Sequence, residues 1–174
     1  MKRLFTMDSK DYDPSWKKFY RPSVRGIILD DKGNIAMIYS EKYHYYKFPG
    51  GGIEEGENNT DALAREIKEE TGMVLIPESV KEFGEVLRMH KYDESDEDTV
   101  FVQQNLYYTC SVKDEIGDQE LDEGEKDAEF VLKFVPIEEA IKTNAAFSGG
   151  KPLKMQMVER EKRVLEIIKE SRVD

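Results

Sequence analysis

The chain has little cysteine, little histidine and no long apolar run. Cys110 is the single cysteine among 174 residues, which excludes an internal disulfide. It lies in the strand-like run of residues 100–112, where we predict a buried small side chain and not a reactive thiol. The two histidines, His44 and His90, lack the spacing of a metal-binding pair. No segment approaches about 18 consecutive apolar residues, so we expect a soluble, unprocessed chain in a reducing cytoplasm without a membrane partner.

Excess positive charge is also missing, since the formal net charge is −11. Residues 93–98 hold five acids and no base, and residues 113–127 hold eight acids and two lysines, which together account for the whole net charge. We expect residues 93–98 to form a solvated loop. A surface of this sign repels duplex nucleic acid, so the predicted partner is a small anionic substrate accompanied by a metal ion.

One segment carries far more information than the rest. Residues 51–73 have the sequence GGIEEGENNTDALAREIKEETGM, which follows the order G-x5-E-x7-R-E-U-x-E-E-x-G-U with U a bulky aliphatic residue. From the residue frequencies of this chain, such a match arises by chance on the order of once in a million chains of this length. The nine fixed positions are Gly51, Glu57, Arg65, Glu66, Ile67, Glu69, Glu70, Gly72 and Met73.

The spacing within this segment predicts one helix over residues 60–71. Glu66, Glu69 and Glu70 are three and four positions apart, so they share one face of that helix. Residues 58–60 supply N-cap candidates, and Gly72 suits a left-handed C-terminal stop. We therefore expect three carboxylates to project together while an adjoining apolar face docks on a core.

Three neighbouring carboxylates repel one another unless a cation lies between them. Mg²⁺ prefers oxygen ligands and is often completed by substrate phosphates, and Mn²⁺ accepts the same oxygens. The alternative is a solvated acidic helix face, which is common. The glycine-rich approach at residues 50–52 favours the metal site, because glycines let backbone groups come close to an ion or a phosphate.

The ordered pattern resembles the signature of the Nudix (MutT-like) hydrolases. The resemblance implies an α/β fold, the Nudix-type α/β/α sandwich with a mixed β-sheet between helices. It further implies that the Gly50 carbonyl and the side chains of Glu66, Glu69 and Glu70 hold the metal ion, and that Arg65 and Glu57 pair to brace the loop.

The implied reaction is attack of water on phosphorus in the diphosphate linkage of a nucleoside diphosphate derivative. The general base in such enzymes is a signature glutamate or an acid from a later loop. Glu120, Glu123 and Glu125 are the later candidates, and Glu125 is the residue we assign to the catalytic set. The predicted substrate contacts are Lys47, Arg25, Gly51 and Gly52.

The remaining pattern predicts a single domain over residues 1–174. Residues 24–29 and 35–39 predict a hairpin, with a turn rich in Asp, Gly and Asn between them. Further strands are expected at residues 45–48, 74–76, 83–92, 100–112 and 130–135, and further helices at residues 136–143 and 151–173.

Alternatives to an enzyme remain open from sequence. A catalytically silent nucleotide-binding regulatory module on the same fold would be expected to have lost one of Glu66, Glu69 and Glu70. An isomerase of isoprenoid diphosphates has less support, because a single cysteine and no second acid-base group are present. We expect the apolar stripe of the final helix to pack on its own domain, and a homodimer interface is the alternative.

Overall fold

The computed structural model describes residues 1–94 and 97–171. The strands of these residues are β1 (Arg3–Asp8), β2 (Lys17–Tyr20), β3 (Ser23–Ile27), β4 (Ile35–Ser40), β5 (Tyr45–Lys47), β6 (Met73–Leu75), β7 (Lys81–Lys91), β8 (Thr99–Thr109), β9 (Val112–Ile116) and β10 (Phe130–Val135). Their helices are α1 (Asn59–Thr71), α2 (Glu123–Asp127), α3 (Ile137–Ala145) and α4 (Pro152–Ser171), and Pro77–Ser79 forms a 3-10 turn.

The largest sheet is mixed in strand direction and runs in the order β1-β7-β8-β2. β7 and β8 pair antiparallel, whereas β1 is parallel to β7. β2 and β3 both pair parallel with β8, the first along its beginning and the second along its end. The short connection between them, Arg21 and Pro22, therefore lies along the edge of β8.

The hairpin between β3 and β4 begins as predicted but its strands then separate. The Asp30 N–H donates to the Asn34 carbonyl at 2.9 Å, and Leu29 bridges to Ile35. β4 then becomes the central strand of a second, antiparallel sheet in the order β10-β4-β5, while β3 stays with β8. β6 and β9 form a separate antiparallel pair.

Helices cover both faces of the main sheet. α1 packs one face with Ala62, Leu63 and Ile67, which meet a cluster that includes Val24 and Tyr108. α3 and α4 pack the other face around a second cluster that includes Ile27, Val86 and Tyr107. The alternation of side chains along β3 and β8 sends neighbouring residues to opposite cores. The predicted α/β/α arrangement with a mixed sheet between helices is confirmed.

Most of the predicted elements are present, and four elements were missed. β1, β2, β9 and α2 had not been predicted, and β9 with α2 occupy much of the acidic stretch 113–127. Residues 95 and 96 of the predicted loop 93–98, and residues 172 and 173 of the predicted final helix, lie outside the described residues. The apolar stripe of α4 packs on its own chain through Val164, Leu165 and Ile168. No helix of the described residues is long and apolar enough to cross a bilayer.

Candidate active site

Helix α1 holds the acidic residues of the signature in a fixed orientation. Its N-terminus is capped by Asn58, whose side chain accepts from the Asp61 N–H at 2.9 Å. Its C-terminus ends at Gly72, which has a φ of 74° and donates to the Lys68 carbonyl at 2.8 Å. Because the opposite side of the helix is buried in the core, rotation is fixed and the glutamates lie along the edge next to the glycine-rich loop.

The glycine-rich loop is hydrogen-bonded to the edge of β3, and at Gly50 it has no room for a larger residue. The Val24 N–H donates to the Gly51 carbonyl at 3.0 Å, and the Gly26 N–H donates to the Pro49 carbonyl at 2.9 Å. Gly50 has a φ of 138°, and a Cβ there would collide with the Val24 carbonyl oxygen. A Cβ on Gly51 would collide with the Glu66 carboxylate. The loop and the signature helix therefore meet where Glu66 lies against Gly51.

Arg65 connects the loop to the helix. Its Nε and Nη2 donate to the two Glu57 carboxylate oxygens at 2.9 and 2.8 Å, and Nη2 also donates to the Gly52 carbonyl at 3.0 Å. Its Nη1 lies 2.7 Å from Glu66 Oε1 and 3.4 Å from Glu69 Oε2. The hydrogen bonds to Glu57 are the main cause that raises the pKa of Arg65. The pair implied by the resemblance is thus a two-pronged ion pair, which is the strongest geometry for arginine and carboxylate.

Glu70 is turned inward and does not project with the other two acids. It is 1% exposed, forms an ion pair with Lys47, and accepts from the Gly50 N–H at 2.9 Å. Burial raises the pKa of Glu70 to about 7, although Lys47 and the Gly50 N–H act in the opposite direction. The expectation that all three carboxylates project together is therefore wrong for Glu70. The physical reason is that Lys47, at the end of β5, comes close enough to pair with it.

The donor chemistry fits a hard divalent cation, but the placement of the donors does not yet form a closed site. No group of three or more acidic, histidine or cysteine side chains in residues 1–94 and 97–171 is arranged to hold a metal ion. Each signature glutamate instead contacts a cationic side chain of the chain itself, Arg65 or Lys47. Glu66 and Glu69 converge on the same Arg65 nitrogen, so a bound cation would compete with the guanidinium for their oxygens.

The acidic stretch after β9 brings one of the three later glutamates toward the site. Glu125 is held at the start of α2 by a capping box with Asp122, and its charge is among the causes that raise the pKa of Glu69, of which burial is the largest. Glu120 donates its N–H to the Glu69 carbonyl at 2.7 Å, but its carboxylate points to Lys68, 4.0 Å away. Glu123 is exposed.

The predicted substrate contacts differ in whether they are free to bind a ligand. The Lys47 charge is engaged by Glu70, and Arg25 is half-buried with its Nη1 donating to the Val24 carbonyl at 3.2 Å. Burial, reinforced by Arg160, lowers the pKa of Arg25. Gly52 faces a different arginine, since a Cβ on it would lie 3.4 Å from Arg21 Nε.

Arg21 is the residue that sequence analysis missed. It lines a cleft of about 440 Å³ together with Gly52, Glu54 and Glu66, so it faces both the glycine-rich loop and the signature helix. Arg21 comes close to the loop because it lies two residues before Ser23, which pairs with Gly52. Without the pairing of β3 with the loop, that proximity could not be inferred.

Comparison with known proteins agrees with this architecture. The sequence profile of the NUDIX domain matches residues 19–155. A NUDIX hydrolase from Nitrosomonas europaea is 21% identical, with a TM-score of 0.52 over 81% of this chain and 87% of that one. A structure from a study of MutT from Aliivibrio salmonicida and Vibrio cholerae is 19% identical, with a TM-score of 0.48 over 82% of this chain and 99% of that one.

The chain therefore belongs to the Nudix family, because the matched profile covers well over half of its length. The enzyme class that the family defines is a Nudix pyrophosphohydrolase.

Proposed function

We propose that this enzyme is a metal-dependent hydrolase that cleaves the diphosphate linkage of a nucleoside diphosphate derivative by water attack on phosphorus. The observation that carries the proposal is the position of Glu66, whose carboxylate lies against Gly51 and lines the same cleft as Arg21. A carboxylate, a glycine backbone and an arginine around one cleft are the groups that bind a cation and a diphosphate together.

The residues divide into three tasks under this proposal. Glu66, Glu69 and the Gly50 carbonyl would hold Mg²⁺ or Mn²⁺, with Glu70 joining them if its contact with Lys47 is broken. The ion would supply charge neutralisation at the phosphate oxygens and a more acidic water. Arg21 and the backbone of Gly51 and Gly52 would bind the diphosphate.

The remaining groups position the site and accept a proton. Arg65 and Glu57 keep the loop at a fixed distance from α1, which matters because phosphoryl transfer depends on alignment of the attacking and leaving oxygens. Glu125 is the proposed general base among the later acids, since it is the one whose charge influences Glu69. Products are a nucleoside monophosphate and a phosphorylated remainder.

A phosphate-release screen over nucleoside diphosphate derivatives tests the proposal. Each compound is incubated with the enzyme and Mg²⁺ or Mn²⁺, and a phosphatase then liberates phosphate from the products. We expect turnover of at least one class of compound and a fall of about 100-fold or more in Glu69→Gln, because loss of a metal ligand removes several kcal/mol of transition-state stabilisation. Glu78→Gln is the matched control, since Glu78 is exposed and lies in the 3-10 turn.

The same screen discriminates the second candidate function. A catalytically silent nucleotide-binding module would turn over no compound, and Glu69→Gln would bind nucleotides as the unmodified chain does. That combination of results would contradict the hydrolase assignment.

A further inference from the structure

A second cavity adjoins the cleft at Glu66. It has a volume of about 460 Å³ and lies between strands β7 and β8 and the beginning of α4. Arg88 and Gln103 are register partners on β7 and β8, as are His90 and Phe101, and these four side chains line the cavity from the sheet. We call this cavity the Arg88 pocket. Its volume falls in the range of small-ligand sites, about 300–1,000 Å³.

Arg88 is a buried cation without a counter-ion. It is 8% exposed, and its Nε has no hydrogen-bond partner, while its Nη2 donates to the Leu153 carbonyl at 3.3 Å. No carboxylate of the described residues lies within ion-pair distance of it. Burial, together with Arg160 and Arg25, lowers the pKa of Arg88 to about 10, which still leaves it charged at neutral pH. An unpaired buried charge costs several kcal/mol, so the pocket is incomplete without an acceptor.

The other groups around the pocket do not neutralise this charge. His90 stacks on Phe101 with ring centroids 4.9 Å apart, and burial lowers the pKa of His90, so its ring is a neutral, flat wall. Lys154 directs its Nζ to the Tyr43 ring, 3.5 Å from the centroid. Asp93 and Glu94 also line the cavity, but both are exposed to solvent. The floor at Arg88 therefore favours an anion, and the stacked rings favour a neutral body next to it.

The pocket is within reach of the reaction site. Arg21 lines both cavities, and its N–H donates to the Val102 carbonyl on β8 at 3.0 Å. β7, which carries Arg88, is the next strand beyond β8. Two inter-strand steps of about 4.8 Å place the backbone of Arg88 roughly 10 Å from the backbone of Arg21 across the sheet. The two cavities are therefore close enough for one substrate to extend from the cleft into the Arg88 pocket.

We infer that the Arg88 pocket binds an anionic substituent, a carboxylate or a phosphoryl group, on the part of the substrate that is linked to the nucleoside diphosphate. This inference rests on the proposed function and narrows its substrate to derivatives with a charged remainder. A charged acceptor is favoured over a neutral one such as a base carbonyl, because hydrogen bonds between ionised partners are about twice as strong.

Fragments of the substrate test the inference without any turnover. Glucose 1-phosphate, glucuronate 1-phosphate and glucose 1,6-bisphosphate share one body and differ in the anionic substituent. Calorimetric binding in Mg²⁺ is expected to be at least about tenfold tighter for the two fragments that carry a second anionic group. Arg88→Met should remove that preference, and Arg88→Lys should restore part of it. Arg3→Gln is the control, because Arg3 is an exposed arginine that pairs with Glu85 at the other side of the sheet.

The outcomes separate the inference from the proposed function. Equal binding of all three fragments, or a preference that survives in folded Arg88→Met, would overturn the inference. Loss of nucleoside monophosphate binding in Arg88→Met, with fragment binding unchanged, would also overturn it and would assign the pocket to the base. A preference that disappears only in Arg88→Met, in a chain that hydrolyses no nucleotide, would support the anion site and contradict the hydrolase assignment. Thermal melting of each variant identifies any that fails to fold. If Arg88→Met does not fold, a weaker preference in Arg88→Lys than in the unmodified chain is the expected result, and an unchanged preference would contradict the inference.

Discussion

Arg65 joins more parts of the candidate site than any other side chain described above. Its guanidinium contacts Glu57 and the Gly52 carbonyl on the loop side, and Glu66 and Glu69 on its own helix. A planar group with several donors in a fixed geometry is needed for this, which lysine does not provide. Arg65 thus explains in physical terms why the sequence pattern contains an arginine at that spacing.

Replacement of Arg65 by alanine is expected to disorder the loop before it affects α1. Glu57 would lose two charge-assisted hydrogen bonds, and we expect a loss of about 1–3 kcal/mol in the free energy of unfolding together with a large loss of activity. Thermal unfolding and the activity assay measure the two effects, with Arg3→Ala as the control for an exposed arginine. An Arg65→Ala enzyme with full activity and unchanged stability would rule out the bracing role.

At the residue scale, the family resemblance implied the pair of Arg65 and Glu57, and the structure contains that contact. The inward position of Glu70 was not predictable, because its partner Lys47 comes from β5 and depends on how the sheets pack. Arg21 and Arg88 escaped notice for the same reason, as their surroundings are created by strand pairing distant in sequence.

At the scale of the elements, those fixed by local sequence were predicted, and those that depend on distant partners were missed. α1 was predicted nearly to its ends, because Asn58 and Gly72 terminate it with local hydrogen bonds and backbone geometry. β2 and β9 were missed because β2 is exposed along its whole length and β9 nearly so, and neither has the apolar alternation that indicates a strand. β1 depends on a parallel partner, β7, more than 70 positions away.

The glycine-rich loop gives a prediction that a matched pair of variants can test. Gly50→Ala should distort the loop, because its φ of 138° is strained for alanine and the colliding atoms belong to the β3 backbone. We expect at least a tenfold loss of activity from this displacement. Gly56→Ala is the control: it has a φ of 80° but open space around the new methyl group, so it should cost only about 1 kcal/mol. Equal activity in the two variants would show that the loop tolerates the displacement.

The buried ion pair of Arg160 and Glu161 on α4 contacts the segment that leads into the same loop. Glu161 is fully buried; it accepts from the Phe48 N–H at 2.7 Å, from Arg160 Nε at 2.7 Å and from the Tyr107 hydroxyl at 3.1 Å. Glu161→Gln should destabilise the fold by about 3–5 kcal/mol, because Arg160 would remain buried without its counter-ion. Glu170→Gln, an exposed change on the same helix, should leave stability unchanged. Chemical denaturation of both variants measures the difference, and equal stability would contradict the role of this pair.

The ion pair of Glu161 also makes the stability of the fold depend on pH. Burial alone would raise the pKa of Glu161, but Arg160 and Arg25 hold it below its ordinary value of 4.5. A carboxylate with a lowered folded pKa contributes stability that is present above about pH 4.5 and is lost as the pH falls toward the lowered value. The unmodified chain should therefore lose more stability on acidification than Glu161→Gln does.

At the scale of the whole molecule, negative charge is concentrated in two segments, residues 93–98 and 113–127, and the second of them contacts the signature helix. The acidic stretch 113–127 is held beside β6 by the pairing of β9 with β6. It contacts Glu69 through the Glu120 N–H, and the charge of Glu125 helps to raise the pKa of Glu69. Together with the signature acids it creates a field that attracts cations and repels a free polyanion. Under the proposed function, a divalent cation that accompanies a nucleotide would lower the repulsion between its phosphates and these carboxylates.

Mn²⁺ binding, measured by the electron paramagnetic resonance signal of free Mn²⁺, tests the central claim most directly because it needs no knowledge of the substrate. The account predicts a saturable site in the unmodified chain, at least about tenfold weaker binding in Glu66→Gln and Glu69→Gln, and no change in Glu78→Gln. Absence of a saturable site, or equal affinity in all four proteins, would contradict the assignment of the α1 carboxylates as the metal-binding groups.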